Sequence, residues 1–473
     1  MKHLIKKLDA ELNTLGFGLM RLPMSSDNWF DRSVFDLLDR SIAMGINYFD
    51  TGYYYQNGRS EELVREALVK RYSRESFYIA DKLPVWDCKS KDDMERIFDI
   101  QIKRLGVEYI DFYLLHALHR KRWEKIYNAG VLDFIEQKKK EGIIRRIGFS
   151  IHDSCEVMKD VLDAYSWDFA QIQLNYYDWF VLHTEDNYRL LEERGMPCIT
   201  MESVGGGRLS TLPKEAERVF GAVHKEWSPS AWAIRFVSTL PNVAVVLSGM
   251  NSEEQLFDNL KNSNCGAALS KEEQIAIKEV VSIIRSKEVI PCTACRYCVS
   301  ECPRKIDIPQ VFKSYNDYKI FENPKYFDIA YNLLAGFPRA GNCIKCGKCK
   351  TNCPQNIDIP QMMKKVGAFA AGREIGIEEI RANRIICFGC GDYGRRVLEY
   401  LGCFMVKDIV FSDNNSEKWG KMFGGYPVIK PEKIIELIKG DDTKIIISTP
   451  KYHSEIVRQL RNMGVPESRI MNL

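Results

Sequence analysis

The sequence predicts an α/β protein: a (β/α)8 TIM barrel, then a small α+β unit, then a short parallel α/β unit. Three observations predict this. Eight short apolar runs separated by amphipathic stretches fill residues 1–285. Two tight four-cysteine runs fall within residues 286–375, and strand–helix alternation resumes at a smaller scale over 380–473. A chain of 473 residues is too long for one hydrophobic core, so these three stretches are expected as separate domains.

The eight expected barrel strands are Leu15–Met20, Asn47–Asp50, Tyr78–Lys82, Asp111–His116, Arg146–Ser150, Phe169–Leu174, Cys198–Met201 and Val243–Ser248. Helical periodicity separates most of them, including one long helix over 122–141. Eight strand–helix units in this length point to a closed parallel barrel. In the last stretch, strands are expected over 384–389, 407–413 and 443–449, and helices over 392–401, 431–438 and 453–463. Alternation at that spacing implies a short parallel sheet.

A net charge of +3 gives no reason to invoke nucleic acid or a membrane surface. The opening MKHLIKKLDAELNTLG lacks a long apolar stretch, and no run approaches the ~18 apolar residues of a membrane span. A cytoplasmic protein is expected. Seven of the fifteen cysteines are scattered: Cys88, Cys155, Cys198, Cys265, Cys387, Cys390 and Cys403. They read as small buried hydrophobes.

The other eight cysteines form an internal repeat. CTACRYCVSECPRKIDIPQVFK begins at Cys292 and CIKCGKCKTNCPQNIDIPQMMK at Cys343, each with the spacing C-x2-C-x2-C-x3-C-P. Three thiolates two residues apart can wrap one iron–sulfide cube. Structural zinc also uses paired C-x2-C but has no use for this triple spacing. The region resembles bacterial two-cluster ferredoxins, and the resemblance implies two [4Fe–4S] clusters with the fourth cysteines exchanged. Cys292, Cys295 and Cys298 would then bind one cluster with Cys353. Cys343, Cys346 and Cys349 would bind the other with Cys302.

In the barrel, Asp50, Lys82 and His116 each end a different expected strand, and Tyr55 lies just beyond Asp50. All four would converge on the mouth at which barrel enzymes do their chemistry. Reducing a carbonyl by hydride requires a proton at its oxygen. A tyrosine beside an ammonium can supply one.

Around these residues stand LGFGLMRLP, NYFDTGYYY, YIADKLP, FYLLHAL, RRIGFS, QIQLNYY and VLSGMNSEEQLFDNL. Together they resemble the aldo/keto reductase family, including its iron–sulfur branch. The resemblance implies Tyr55 as acid/base rather than Tyr53 or Tyr54, Lys82 and Asp50 as its tuners, and His116 as the orienter of the carbonyl. It further implies Ser150 and Gln171 on the nicotinamide carboxamide, Ser248, Gly249 and Met250 at the phosphates, and Gln255 and Asn259 beside the adenosine. His152 stands where many members have Asn. Met250, Asn251 and Glu254 offer no cation for a 2′-phosphate, so NADH use, or weak NADPH binding, is expected.

Gly389, Gly391 and Gly394 form G-x-G-x-x-G between an expected strand and helix, a phosphate-cradling context. Asp413 would meet ribose hydroxyls at the end of the next strand. With FSDNN, GGYPVIKPE and IIISTPKYHSEI, this Rossmann-like unit resembles the small nucleotide-sugar-binding domains attached to bacterial sugar acyltransferases. That resemblance implies a nucleotide-linked sugar as substrate.

The expected whole is an NAD(P)H-dependent oxidoreductase acting on a carbonyl or alcohol, with two clusters as an electron relay. Hydride carries two electrons and each cluster one, so an unseen flavin or an external carrier would have to split them. Two alternatives stay open: an NADH:acceptor electron-transfer protein coupled through the clusters, and a non-catalytic redox sensor or binding module.

Overall fold

The computed structural model describes residues 2–5, 8–24, 29–264, 266–322, 327, 331, 338–371, 384–391, 394–395, 397–398, 401, 408–439, 443–449 and 452–471. The chain forms two compact units, Met1–Ser286 and Lys287–Leu473. Among the described residues no helix is long and apolar enough to cross a membrane.

The first unit opens with a hairpin absent from the sequence expectation, β1 (Lys2–Ile5) and β2 (Ala10–Asn13). Eight parallel strands follow: β3 (Leu15–Gly18), β4 (Tyr48–Asp50), β5 (Tyr78–Leu83), β6 (Ile110–Leu118), β7 (Ile144–Ile151), β8 (Phe169–Gln173), β9 (Cys198–Met201) and β10 (Val243–Ser248). They close in the order β10-β3-β4-β5-β6-β7-β8-β9. Leu8, Ala10 and Leu12 pack with Tyr48, Phe112 and Phe169 inside the barrel. The hairpin region thus plugs the end at which the strands begin, leaving the opposite end for chemistry.

The long helix expected over 122–141 is two helices, Arg120–Asn128 and Val131–Lys140. Gly130 between them takes φ +82°, a conformation that L side chains resist and that breaks the helical ladder. Helices Tyr176–Val181 and Lys214–Val223 were also unforeseen.

In the second unit, the repeated Ile-Asp-Ile-Pro-Gln proves to be a helix start. Asp307 and Asp358 cap helices Ile308–Phe321 and Ile359–Ala370 by accepting from the Gln310 and Gln361 amides, with proline in the first turn of each. The apolar faces of both helices share one core with Cys298 and Cys349.

The C-terminal stretch forms one sheet from β11 (Arg384–Phe388), β12 (Asp408–Ser412), β13 (Met422–Phe423), β14 (Tyr426–Ile429), β15 (Thr443–Ile447) and β16 (Ile470–Met471). Its order is β13-β14-β12-β11-β15-β16. The expected all-parallel sheet is corrected at its edge, where β13 runs antiparallel to β14 through the Gly424-Gly425 turn. Half of the helix expected over 392–401 lies outside the described residues, as do Cys265 and Cys403.

Candidate active site

The barrel mouth gathers the four side chains that sequence singled out. Asp50 ends β4, Lys82 lies near the end of β5, and His116 lies in β6. Tyr55 opens the tight turn beyond β4, its amide donating to Gly52 O at 2.9 Å. The left-handed Gln56 and Asn57 curl the chain behind it. All four side chains are buried, Lys82 being only 1% exposed.

Lys82 Nζ lies 2.7 Å from Asp50 Oδ1 and also donates to Thr51 O. Its ammonium sits 4.7 Å from the Tyr55 ring centroid, a cation–π contact. The imidazole of His116 meets the Tyr55 ring edge-on, with centroids 5.8 Å apart, and Trp86 covers its other flank at 5.1 Å.

Burial, then the nearby Asp50, pushes the Tyr55 phenol well above its ordinary range, so the hydroxyl keeps its proton at rest. Burial, then the charges of Lys82 and Arg122, pushes His116 well below its ordinary range and keeps the imidazole neutral. Burial raises the Asp50 carboxyl while Lys82 pulls it down.

His116 and Ala117 form a kink in β6, with Ala117 at φ +51° and the pairing with β7 shifted between Leu115 and Leu118. Ser150 Oγ accepts from the Ala117 amide at 2.7 Å and braces that kink. Gln171, on neighbouring β8, has a buried Oε1 without a hydrogen-bond partner among the described residues. His152 is likewise held neutral, its imidazole pushed down to about 4 chiefly by burial.

At β10, Asn259 Nδ2 donates to Ser248 Oγ at 3.0 Å, and Gln255 Oε1 accepts from the Asn251 amide at 2.9 Å. Gly249 is exposed beside them, whereas the Met250 side chain is buried, leaving only its backbone for a ligand.

A buried grid behind Lys82 went unnoticed in the sequence. Asp81 Oδ1 accepts from the Lys82 amide at 2.8 Å. Gln101 Nε2 donates to Asp81 Oδ2 at 2.8 Å and to Lys82 O at 3.1 Å, and Tyr113 donates to Gln101 Oε1 at 2.7 Å. Glu61, also fully buried, pairs with Arg104 at 2.8 Å. Burial and then the proximity of Glu61 push Asp81 well above the carboxylate range. The signal was available: two consecutive charges, Asp81-Lys82, in a strand buried on both faces.

Gly205–Ser210, the glycine-rich turn after β9, likewise has no place in the sequence expectation. It carries Arg208, which donates to the buried Asp178 at 3.2 Å and stacks on Tyr177.

In the second unit, Cys302 lines one pocket with Cys343, Cys346 and Cys349. The thiols that act on Cys298 are Cys295, Cys292 and Cys353. The cysteines therefore gather in two sets of four, each with its fourth member from the other repeat.

In the C-terminal sheet, a Cβ on Gly394 would fall 2.4 Å from Gly389 O, whereas one on Gly391 would meet open space. Asp413 turns inward, accepting from the Cys390 amide at 2.8 Å and pairing with Lys418 at 3.1 Å.

Residues 14–282 match the model of the aldo/keto reductase family. The chain belongs to that family. Residues 291–357 match the 4Fe-4S dicluster domain, and residues 381–471 match a family described as C2185-like, N-terminal. This aldo/keto reductase is thus an oxidoreductase carrying a 4Fe-4S dicluster domain. It is 25% identical to the uncharacterized oxidoreductase YqkF of Bacillus subtilis, over 57% of this chain and 93% of that one. It is 24% identical to the NADH-specific methylglyoxal reductase of Escherichia coli, over 54% and 91%. The aldo-keto reductase AKR11C1 of Bacillus halodurans, in its holo form, superposes with a TM-score of 0.50 at 24% identity. That likeness covers 59% of this chain and 95% of the other, and it concerns the barrel fold.

Proposed function

We propose that the barrel interconverts a carbonyl and an alcohol using NAD(P)H, with Tyr55 as the proton donor. The observation that carries this reading is the convergence of Lys82, Asp50 and His116 on the Tyr55 ring. NAD(P)H supplies a hydride when bound. Tyr55 holds the proton that the carbonyl oxygen needs. The Lys82 ammonium stabilises the phenolate left behind, and Asp50 fixes that ammonium. Neutral His116 can donate one hydrogen bond to the carbonyl oxygen and so orient it.

The nicotinamide fits the residues present. Ser150 keeps a hydroxyl proton to donate to the carboxamide oxygen, because its own oxygen already accepts from Ala117. The unpartnered Gln171 Oε1 can accept from the carboxamide nitrogen. Ser248, Gly249, the Met250 backbone, Gln255 and Asn259 would hold the phosphates and adenosine. None of them is cationic, and the Escherichia coli relative is named as NADH-specific, which together favour NADH.

Tyr55→Phe should lower carbonyl reduction by about 10²–10⁴-fold, as loss of a general acid does. Unchanged turnover would defeat the assignment. A parent protein that reduces no carbonyl but transfers electrons from NADH to an acceptor, at a rate Tyr55→Phe leaves intact, would favour an electron-transfer protein. A strong preference for NADPH in binding would defeat the cofactor assignment.

The two sets of cysteines are proposed to hold the [4Fe–4S] clusters, which when bound accept and release single electrons. Cys292, Cys295, Cys298 and Cys353 form one ligand set, and Cys343, Cys346, Cys349 and Cys302 the other. The separate domains 286–375 and 380–473 are part of this proposal.

The C-terminal unit is proposed as a Rossmann-like site for a nucleotide-linked sugar at Gly389 and Gly391. Gly394 serves the close packing of the turn. Asp413, occupied by Cys390 and Lys418, shapes the glycine turn from within. Calorimetric titration of the full chain with nucleotide sugars tests this, and silence across the panel would leave the unit a structural role.

A further inference from the structure

The two halves of the cysteine repeat are not equivalent at their surfaces. In the first half, Thr293 is buried and Arg296 is bound to Asp307 at 3.0 Å. The residues that follow Cys353, and so lie with the first set, are the uncharged Gln355 and Asn356. In the second half, the counterpart of Thr293 is Ile344, which is 56% exposed. Cys346 is the one exposed thiol among the eight. Lys345 and Lys348 flank it, both exposed. Cys302 brings Arg304 and Lys305 to the same set, and Arg304 lines the pocket with Ile344 and Cys346. Among the described residues these four cations make no ion pair, whereas Arg296 and Lys350 each do. Glu301, which precedes Cys302 in sequence, is an exposed acid.

An exposed apolar side chain ringed by unneutralised cations is the surface that an acidic protein recognises, because the ring steers the encounter and the apolar centre is buried on contact. We propose that this face, Ile344 within Arg304, Lys305, Lys345 and Lys348, docks an acidic one-electron carrier protein and makes the second cluster the electron port. The inference rests on the ligand sets proposed above. One electron leaves the reduced carrier, which is oxidised by one, and reduces one [4Fe–4S] centre by one. No bond forms or breaks and no proton moves.

The test uses the full-length protein, purified without oxygen, with iron and sulfide measured in every variant. Reduction is followed by stopped flow with two acidic carriers, one a flavodoxin and one a plant-type ferredoxin. Photoreduced deazaflavin serves as the small reductant. K345E/K348E should slow reduction by at least one carrier about tenfold or more at low salt and flatten its salt dependence. The same variant should leave deazaflavin reduction unchanged, and R296E should change the carrier rate less than twofold. A carrier rate indifferent to K345E/K348E, or an equal effect from R296E, would overturn the port. So would equal slowing with deazaflavin. Parent protein without iron and sulfide would instead bring down the cluster reading itself.

Discussion

At the barrel mouth, Asp50, Lys82 and His116 arrive from three strands far apart in sequence, and the closed barrel is what brings them together. In the cysteine repeat, each proposed ligand set takes three of its four thiols from seven consecutive residues, and one thiol of each set, Cys298 and Cys349, is a member of the core itself. The barrel can therefore fold first and bind later. On the proposed ligand sets the repeat would not, because its small core includes thiols that are to hold the clusters. One region owns its geometry. The other borrows it.

Breaking each region should expose that difference, most of all in the repeat. Cys349→Ser removes a buried ligand from the proposed second set, and metal binding in such domains is worth on the order of 10 kcal/mol of folding free energy. Hydrogen exchange should show protection lost over Lys287–Ala371 and retained through the barrel strands. Protection lost evenly across both units would contradict the contrast.

The next largest effect belongs to the barrel. Lys82→Met leaves the buried Asp50 without its counter-charge and should cost about 3–5 kcal/mol by denaturant titration, with activity abolished. The double variant D50L/K82M should recover most of that stability and none of the activity. Recovery of neither would mean that the pair is part of the fold rather than held by it.

The same contrast explains what was legible in the sequence. The repeat was legible as a repeat from its spacing, while the exchange of Cys302 and Cys353 between the proposed sets came from the resemblance to two-cluster ferredoxins. The barrel strands were legible because each is a short apolar run between polar helices, and Cys198–Met201 and Val243–Ser248 fell at their observed bounds. The hairpin β1–β2 was not, because two four-residue strands with a short turn carry too little periodicity. Nor was the break at Gly130, since an isolated glycine inside an apolar-periodic run is often tolerated within a helix. The grid behind Lys82 was hidden for another reason. Asp81, Glu61 and Gln101 come from three elements, and only the fold shows that they meet.

That grid allows a finer comparison within the barrel, between the face of β5 proposed to perform chemistry and the face that supports it. Asp81→Leu leaves the Lys82 amide and one N–H of the Gln101 amide group buried without an acceptor, at about 1–3 kcal/mol each. Stability should fall by that order, and turnover should fall with it if the grid positions the ammonium. Turnover unchanged at temperatures where the variant stays folded would confine the grid to a structural role.

Asp81→Asn should have the smallest effect, and its sign depends on pH. The Asp81 carboxyl is raised above its unfolded value of about 3.9, so the folded state binds this proton more tightly. Its contribution to stability is complete below pH ~3.9 and is lost as pH rises toward the folded pKa. An asparagine mimics the protonated carboxyl at every pH. Asp81→Asn should therefore leave stability near that of the parent in acid and increase it progressively toward pH 7, flattening this limb of the profile. Thermal melts across that range read the difference directly. A variant less stable than the parent at pH 7 would mean that Asp81 stands ionised beside Lys82 and Glu61, and that the support face carries charge as the proposed chemical face does.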